Sequence, residues 1–327
     1  MAKYNELFGQ LVQYISSDPS NLEEGNVWYN STSNTLKARA YQNGSWSSGD
    51  NVNTARSFMG GASYAATNAA LGFGGDTGPA RVGDTEEYNG SSWSEQSNMS
   101  TSRSATGSCG IQTSAIGWCG YEGGGKTDAE EYNGSSWSGG TAYPGSARYF
   151  DGGGTGVSAN SAFSFGANAD AEAYEWNGSS WSASPDMPST RSYAGGFGTQ
   201  SSTFITGGKN AITTSLTYNG STFSSAPATN TGRARFGHAG TSASAGVIWG
   251  GSTDADSDVE IRNTEDWNGT AWSESSLLAV KRDSISNGSG SASTAMNAFG
   301  SIRSQPNPSG TEDYSGPGVA TQTVSTS

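Results

Sequence analysis

The phrase Tyr88-Asn89-Gly90-Ser91-Ser92-Trp93 returns as Tyr132-Asn133-Gly134-Ser135-Ser136-Trp137 and as Trp176-Asn177-Gly178-Ser179-Ser180-Trp181, with weaker copies down the chain. Asn-Gly pairs begin at Asn43, Asn89, Asn133, Asn177, Asn219 and Asn268, and Tyr314-Ser315-Gly316 is a worn seventh copy. The steps are therefore 46, 44, 44, 42, 49 and 47 residues. A period in the mid-forties with a β-type composition points to a propeller blade rather than a helical solenoid. A chain of 327 residues covered largely by one repeat reads as one closed unit with a short leader.

Glycine contributes 48 residues and charged side chains only 14%, a profile that by itself would suit a disordered chain. The 10 Trp, 14 Tyr and 11 Phe fall at regular positions, which argues for an ordered fold. A net charge of −13 repels nucleic acid and anionic membrane surfaces, so neither is expected as a partner. No apolar run approaches the roughly 18 residues that span a bilayer. Residues 1–15 lack the charge and cleavage pattern of a secretion signal, so Sec-type export is not expected.

One period, residues 99–139, holds four short strands separated by turn residues. Arg56, Arg103, Arg148, Arg191, Arg235 and Arg282 open six first strands. Segments such as Leu71-Gly-Phe-Gly-Gly75 and Val247-Ile-Trp-Gly-Gly251 are second strands, whose closing glycines suit a close approach of backbones. Asn followed by Gly suits a two-residue type I′ hairpin between the third and fourth strands. That turn sets Tyr88 opposite Ser91 and Glu86 opposite Trp93, with Tyr and Trp diagonal on one face as glue between neighbouring blades. By the same logic Tyr132 with Trp137, Trp176 with Trp181 and Trp267 with Trp272 are structural pairs.

An Arg before the first strand, Gly-Gly after the second, Tyr in the third and Trp shortly after resembles the Kelch-type repeat over about residues 52–316. The resemblance implies an all-β, six-bladed Kelch-like β-propeller and says little about activity. The fourth full copy departs most, with Leu216-Thr217-Tyr218 lacking the acidic pair of Glu86-Glu87 or Glu130-Glu131, and Phe223 in place of Trp. Tyr41 to Trp46 supplies a fourth strand without a blade of its own, which suggests ring closure by a swapped terminal strand. Val319 to Val324 is the rival closer, and a seven-bladed ring with a stunted N-terminal blade is the alternative count.

Tyr4, Leu7, Phe8, Leu11, Tyr14 and Ile15 fall at helical spacing and predict a short amphipathic helix that serves as an assembly anchor or lies on the propeller. The expected division is residues 1–25 as helix and anchor, 26–50 as hairpin and ring-closing strand, 51–316 as propeller and 317–327 as tail or closing strand. The leader, joined to Gly/Ser/Thr-rich propeller copies, resembles tail-associated or appendage proteins of marine bacteriophages. That resemblance implies a non-enzymatic virion structural protein on a tail or capsid surface, made in the host cytoplasm. Its partners would be other virion proteins and a host-surface glycan or protein, and self-association is open. The alternatives are an architectural connector or capsid decoration without receptor binding, and a carbohydrate-active propeller enzyme.

Candidate chemistry is sparse. Asn-Gly-Ser-Ser-Trp lacks the Asp of sialidase boxes, and the carboxylate pairs recur in step with the blades, as structural residues do. They are expected to pair with repeat arginines between blades or face solvent, where such pairs are worth about 0 to 1 kcal/mol. His238 is the sole histidine and reads as a strand residue, which denies the chain a His-rich metal site or the ligands of a galactose-oxidase centre. Asp254, Asp256, Asp258 and Glu260 alternate like the start of a calcium loop, but Val259 stands where glycine belongs, so a solvated acidic loop is expected. No metal or cofactor is expected. Cys109 and Cys119 would face each other if their hairpin turned at Ser114; free buried thiols are nonetheless the preferred reading. The loop residues that vary between copies, Tyr121, Glu122, Tyr143, Pro144, Lys209, Asn210 and Asp254 to Asp258, are the expected receptor contacts.

Overall fold

The computed structural model describes residues 12–62, 64–145, 153–166, 170–253, 259–284, 288–302 and 305–324. Among these the chain is all-β and propeller-like, with seven four-stranded sheets and one 3-10 turn at Thr67–Ala69. It divides into two compact units, one of residues 1–44 with 317–327 and one of residues 45–316.

The smaller unit begins with β1 (Gln13–Ile15), which runs parallel to β2 (Val27–Asn30); β2 pairs with β3 (Thr35–Gln42). The expected helix gives way here to a strand. Tyr14 stacks on Tyr29 at 5.0 Å and pairs with it across the ladder, so side chains alternate with period two, and the backbone finds its partners on the hairpin edge. Tyr4, Leu7, Phe8 and Leu11 lie outside the described residues. Asp18 ties the intervening loop to the hairpin, accepting from Trp28 Nε1 at 3.0 Å, Asn30 Nδ2 at 2.7 Å and Lys37 Nζ at 2.7 Å. The Lys37 hydrogen bond, then those from Asn30 and Trp28, hold its carboxyl down at about 2.

The larger unit opens with β4 (Ser45–Ser48). Its first sheet is β5 (Gly60–Gly61), β6 (Leu71–Phe73), β7 (Thr85–Tyr88) and β8 (Trp93–Gln96); the second is β9 (Gly107–Ile111), β10 (Ser114–Trp118), β11 (Ala129–Tyr132) and β12 (Trp137–Gly140). The third is β13 (Gly154–Ser158), β14 (Ser161–Phe165), β15 (Ala173–Trp176) and β16 (Trp181–Ala183); the fourth is β17 (Gly195–Thr199), β18 (Ser202–Thr206), β19 (Ser215–Tyr218) and β20 (Phe223–Ala226). The fifth is β21 (Gly237–Ser242), β22 (Ala245–Trp249), β23 (Thr264–Trp267) and β24 (Trp272–Glu274). In the sixth, β25 (Ser289–Gly290), β26 (Thr294–Asn297) and β27 (Glu312–Ser315) are completed by β4, with Tyr314 opposite Trp46. Only residues 45–48 of the first repeat copy supply this strand, because Tyr41 belongs to β3. The rival closer, β28 (Gly318–Thr323), instead pairs with β3 in the smaller unit, from Gly318 opposite Gln42 to Thr323 opposite Lys37.

Aromatic contacts join the sheets in cyclic order. A ring from each sheet's second strand, or the loop just after it, meets a ring of the next sheet's outer hairpin: Phe73 with Trp137 at 4.7 Å, Trp118 with Trp181 at 5.3 Å, Phe163 with Tyr218 at 4.4 Å. The series continues with Phe204 and Trp267 at 4.8 Å, Trp249 and Trp46 at 5.3 Å, and returns to the first sheet through Phe299 and Trp93 at 5.3 Å. Such pairs add about 0.5 to 1.5 kcal/mol each beyond their buried area. The backbone repeats the pattern: Gly75 N donates to Arg103 O at 2.8 Å and Gly251 N to Arg282 O at 2.9 Å, each in the following sheet. Both glycines have positive φ, as does Gly74, where a Cβ would lie 2.7 Å from Arg103 O of the following sheet. The close approach expected at the second-strand glycines is thus where consecutive sheets join.

The Asn-Gly turn differs from expectation. Tyr88 stands directly opposite Trp93, so the loop has four residues, closed by Asn89 N to Ser92 O at 3.2 Å. Asn89 Oδ1 accepts from the Ser91 and Ser92 amides at 2.9 and 3.0 Å, and of the pair only Gly90 takes positive φ. Asparagine serves here as an Asx cap rather than as a left-handed residue. The same geometry recurs at Asn133, Asn177, Asn219 and Asn268. Tyr and Trp are therefore cross-strand neighbours rather than diagonal ones, 5.2 Å apart in the first sheet.

Candidate functional site

Among the described residues, five first strands are entered through a buried arginine followed, two residues on, by a residue with left-handed backbone: Phe58 (φ 52), Ala105 (54), Tyr193 (59), Arg235 (55) and Ser284 (51). Bulky residues rarely adopt this region, at a cost of about 1 to 3 kcal/mol each. The neighbouring sheets hold them there. Phe58 N donates to Ser284 O at 3.1 Å, Ala105 N to Phe58 O at 2.5 Å, and Arg235 N to Tyr193 O at 3.1 Å, so the bends form a hydrogen-bonded belt from sheet to sheet.

Side chains from distant sheets meet inside this belt. The Arg235 guanidinium lies 4.5 Å from the Tyr193 ring and 5.9 Å from the Phe58 ring, and its NH1 is 3.6 Å from Asp283 Oδ2. Asp283 also accepts from Ser301 Oγ at 2.6 Å and Ser284 Oγ at 3.1 Å. These residues belong to the first, fourth, fifth and sixth sheets, and in a cyclic arrangement such partners converge only near the axis. Phe58, Tyr193 and Arg235 are half-buried, so the cluster offers aromatic faces, a cation and a fixed carboxylate at one end of the unit.

Loops after the second strands border the same end, because bridges tie four of them to their arginine segments, Ser57 to Asp76, Ser104 to Tyr121, Ala234 to Ser252 and Asp283 to Ser301, and Lys209 N to Ser192 O ties a fifth. Four of the expected receptor residues lie there. Tyr121 carries the Arg81 guanidinium 4.3 Å from its ring, Glu122 forms an exposed ion pair with Lys126 at 3.1 Å, Lys209 N donates to Ser192 O, and Asn210 is exposed with φ 66. Asp254, Asp256 and Asp258 lie outside the described residues; Glu260 is buried and meets Lys281 at 3.2 Å.

Tyr143 is not a surface contact. It is 2% exposed and packs its ring on Tyr174 and Trp181 at 4.9 and 5.1 Å. Its amide donates to Thr127 O at 2.7 Å just as Met99 N donates to Gly83 O and Leu278 N to Arg262 O, so it is the second sheet's copy of a repeated core plug. Variation between copies marked it as functional, although what the position holds in each described copy is a buried side chain.

Four of the repeat arginines are buried ion-pair partners within their own sheets. Arg56 meets Glu86 at 2.6 Å, Arg103 meets Glu130, and Arg282 meets Glu312 at 3.4 Å. The expectation of surface or inter-blade pairs fails because the carboxylate also caps the loop before the arginine: Asn53 N and Thr54 N donate to Glu86, Ser100 N and Thr101 N to Glu130. In the fifth sheet this arginine is Arg233, bonded to Glu265 at 2.5 Å, and not Arg235. The missed signal is spacing, since Arg56, Arg103, Arg191 and Arg233 each stand four residues before a glycine that opens a first strand. Arg148 lies outside the described residues.

The carboxylate just before the third strand's last aromatic reaches the next sheet in three cases. Glu87 accepts from Tyr132 OH at 2.9 Å, Glu175 from Tyr218 OH at 2.7 Å and Asp266 from Tyr314 OH at 2.8 Å. Burial, helped by the Glu87 hydrogen bond, pushes the Tyr132 phenol up; burial also raises Asp266, against hydrogen bonds from Tyr314 and Ser275. Cys109 stands opposite Ile116 because the hairpin turns at Gln112-Thr113, so the two cysteines are offset and buried, with no disulfide between them. Burial raises the Cys109 thiol, as befits a core residue. His238 sits in β21 opposite Ile248. Among the described residues no group of three or more His, Cys, Asp or Glu side chains is placed to hold a metal ion.

Neither protein-family models nor curated proteins yield a match to this chain.

Proposed function

We propose that residues 45–316 form a six-bladed Kelch-like propeller that acts as a non-enzymatic binding scaffold displayed on a virion, with the rest of the chain as its assembly end. The observation that carries this reading is the convergence of Phe58, Tyr193 and Arg235, each on left-handed backbone, with Asp283 at one end, bordered by Tyr121, Lys209 and Asn210. Strain of this kind concentrates where a surface has work to do, and rigid aromatic and polar groups on a ring suit recognition of a host-surface glycan or protein. The repeated carboxylates support binding over hydrolysis, since Glu86, Glu130, Glu265 and Glu312 are spent on arginines and loop amides. The likeness of the leader and repeats to bacteriophage appendage proteins supports the virion setting.

The test is binding of the full chain to host cells and to immobilised host-surface glycans. Arg235→Ala and Tyr193→Ala, each checked for an unchanged unfolding transition, are expected to weaken binding about tenfold or more, as hot-spot truncations do. Equal binding by both variants, or no binding by the parent chain, would overturn the reading in favour of an architectural connector.

A further inference from the structure

The join between the sixth and first sheets is built unlike the others. Elsewhere the indole of an outer strand donates to the sheet before it: Trp137 Nε1 to Thr85 Oγ1 at 3.0 Å, Trp46 Nε1 to Thr264 Oγ1 at 2.9 Å, and Trp181 Nε1 to Thr141 O and Trp272 Nε1 to Pro227 O, both at 3.2 Å. The corresponding acceptors at this join are Thr311 Oγ1 and Asp50 O, and they are bonded to each other at 2.9 Å. Trp93 Nε1 is left buried without a partner. The carboxylate of the join is also unserved. Glu87, Glu175 and Asp266 each accept from the phenol of the next sheet, but Tyr88 OH donates to Asp50 Oδ2 at 3.2 Å rather than to Asp313. Asp313 Oδ1 is buried with no hydrogen bond. Even the aromatic contact is displaced, since Ala298 stands at the place of Trp249 and Phe299, one residue on, reaches Trp93 from left-handed backbone (φ 68).

The same place is where the larger unit closes. Among the described strands of that unit, β4 and β27 are the one hydrogen-bonded pair that is not consecutive in the chain. Asp50 follows β4 on the way into the first sheet and Asp313 lies in β27, so the two carboxylates stand on opposite sides of the closure. Asp50 and the Tyr88 phenol are the titratable groups that face Asp313. Glu312 turns to Arg282 on the other face, and Ser47 and Met296 stand opposite Asp313 in the ladder. Among the described residues no ion pair reaches Asp50 or Asp313. With both ionised, like charges push across the closure and a buried anionic oxygen lacks a donor; a proton on Asp313 removes both faults. We infer that the larger unit is latched between β4 and β27, and that the latch is tight in acid and loosens toward neutral pH because Asp50 and Asp313 sit across it. Burial, and then the Asp50 charge, raises the Asp313 carboxyl above the ordinary aspartate range, in keeping with this geometry. The proton's contribution is complete below the ordinary aspartate value and gone once pH has passed the raised one. None of this depends on what the larger unit binds.

Hydrogen exchange of the full chain, followed by mass spectrometry from about pH 4 to about pH 8 and corrected for the intrinsic rate at each pH, tests it. Amides of β4 and β27 are expected to open more often as pH rises, about tenfold for each unit by which the Asp313 carboxyl is raised, while those of β9 to β12 hold constant. Asp313→Asn should keep these two strands at their acid level of protection throughout, and Asp50→Asn should remove part of the rise. Asp186→Asn, at an exposed carboxylate of the third sheet, should change nothing. Protection of β4 and β27 that is the same at every pH in the parent chain would overturn the inference. So would a rise that survives Asp313→Asn, or one shared equally by all six sheets, which is unfolding of the unit rather than opening of its closure. Should Asp313→Asn fail to fold, a rise undiminished in Asp50→Asn overturns it equally.

Discussion

The fourth and fifth sheets use the same buried arginine in different company. Arg233 of the fifth bonds Gly250 O at 3.1 Å, Asn263 O at 2.8 Å and Glu265, whose carboxylate also caps the amides of Asn230 and Thr231. Arg191 of the fourth bonds Gly207 O at 2.7 Å and Thr214 O at 3.0 Å but takes only Thr214 Oγ1 in place of a carboxylate, because Leu216 stands where Glu265 does. The loop that the carboxylate would cap explains the difference. Its first amide position is Pro188 in the fourth sheet, and proline has no N–H to satisfy. The third sheet agrees: Pro144 precedes its arginine segment and Tyr174 replaces the glutamate. Among the described residues each of the five buried repeat arginines caps two carbonyls, and the carboxylate is added where loop amides need an acceptor.

The largest expected effect breaks the fifth sheet's version. Glu265→Ala leaves Arg233 buried without its counter-charge and strands two amides, which should destabilise by about 3 to 5 kcal/mol in denaturant unfolding. Arg191→Met in the fourth sheet abandons no buried carboxylate. It should cost only about 1 to 3 kcal/mol for the uncapped carbonyls, so a loss equal to that of Arg233→Met would contradict the comparison. Leu216→Glu combined with Pro188→Ala should sharpen it: the double variant is expected to exceed the sum of the single changes by about 0.5 to 3 kcal/mol, read from a double-mutant cycle of unfolding free energies. Tyr132→Phe removes one inter-sheet donor to Glu87 and should cost about 1 kcal/mol by thermal unfolding.

The smallest effect concerns Glu131, which occupies the Glu87 position but faces a sheet with Trp176 where the donor phenol would be. Burial raises its carboxyl above the ordinary range. A raised carboxyl favours the fold while protonated, so its contribution is full below the unfolded value and is lost as pH rises through the folded one. Glu131→Gln should therefore stabilise slightly at neutral pH and make no difference in acid. An unfolding midpoint that rises equally at both pH values would refute this.

Much of this was legible in the residues. The Asn-Gly spacing gave the period, the glycines after the second strands marked where backbones come close, and Tyr41 to Trp46 was read as a strand lacking its own sheet, of which residues 45–46 lie in the strand that completes the sixth sheet. These features repeat because the local requirement repeats. Pro144 with Tyr174 and Pro188 with Leu216 were equally readable, but only once the amide-capping role of Glu86 and Glu130 was known. The β1 strand was hidden because Tyr14 and Ile15 satisfy a helical stripe as well as they satisfy pairing with Tyr29 and Asn30.

By itself, the order of residues settled what each repeat must build, since strand length, turn chemistry and ring placement depend on neighbours a few positions away. Which side chains come together from separate repeats was decided by tertiary structure alone. Phe58, Tyr193 and Arg235 hold one position of the repeat with three different side chains, and they meet Asp283 because sheets in cyclic order bring their inner ends to one axis. Likewise Tyr143 became core and Arg233 displaced Arg235 as the carbonyl cap because burial sorts side chains by the space and partners present. A sequence pattern records that sorting only indirectly.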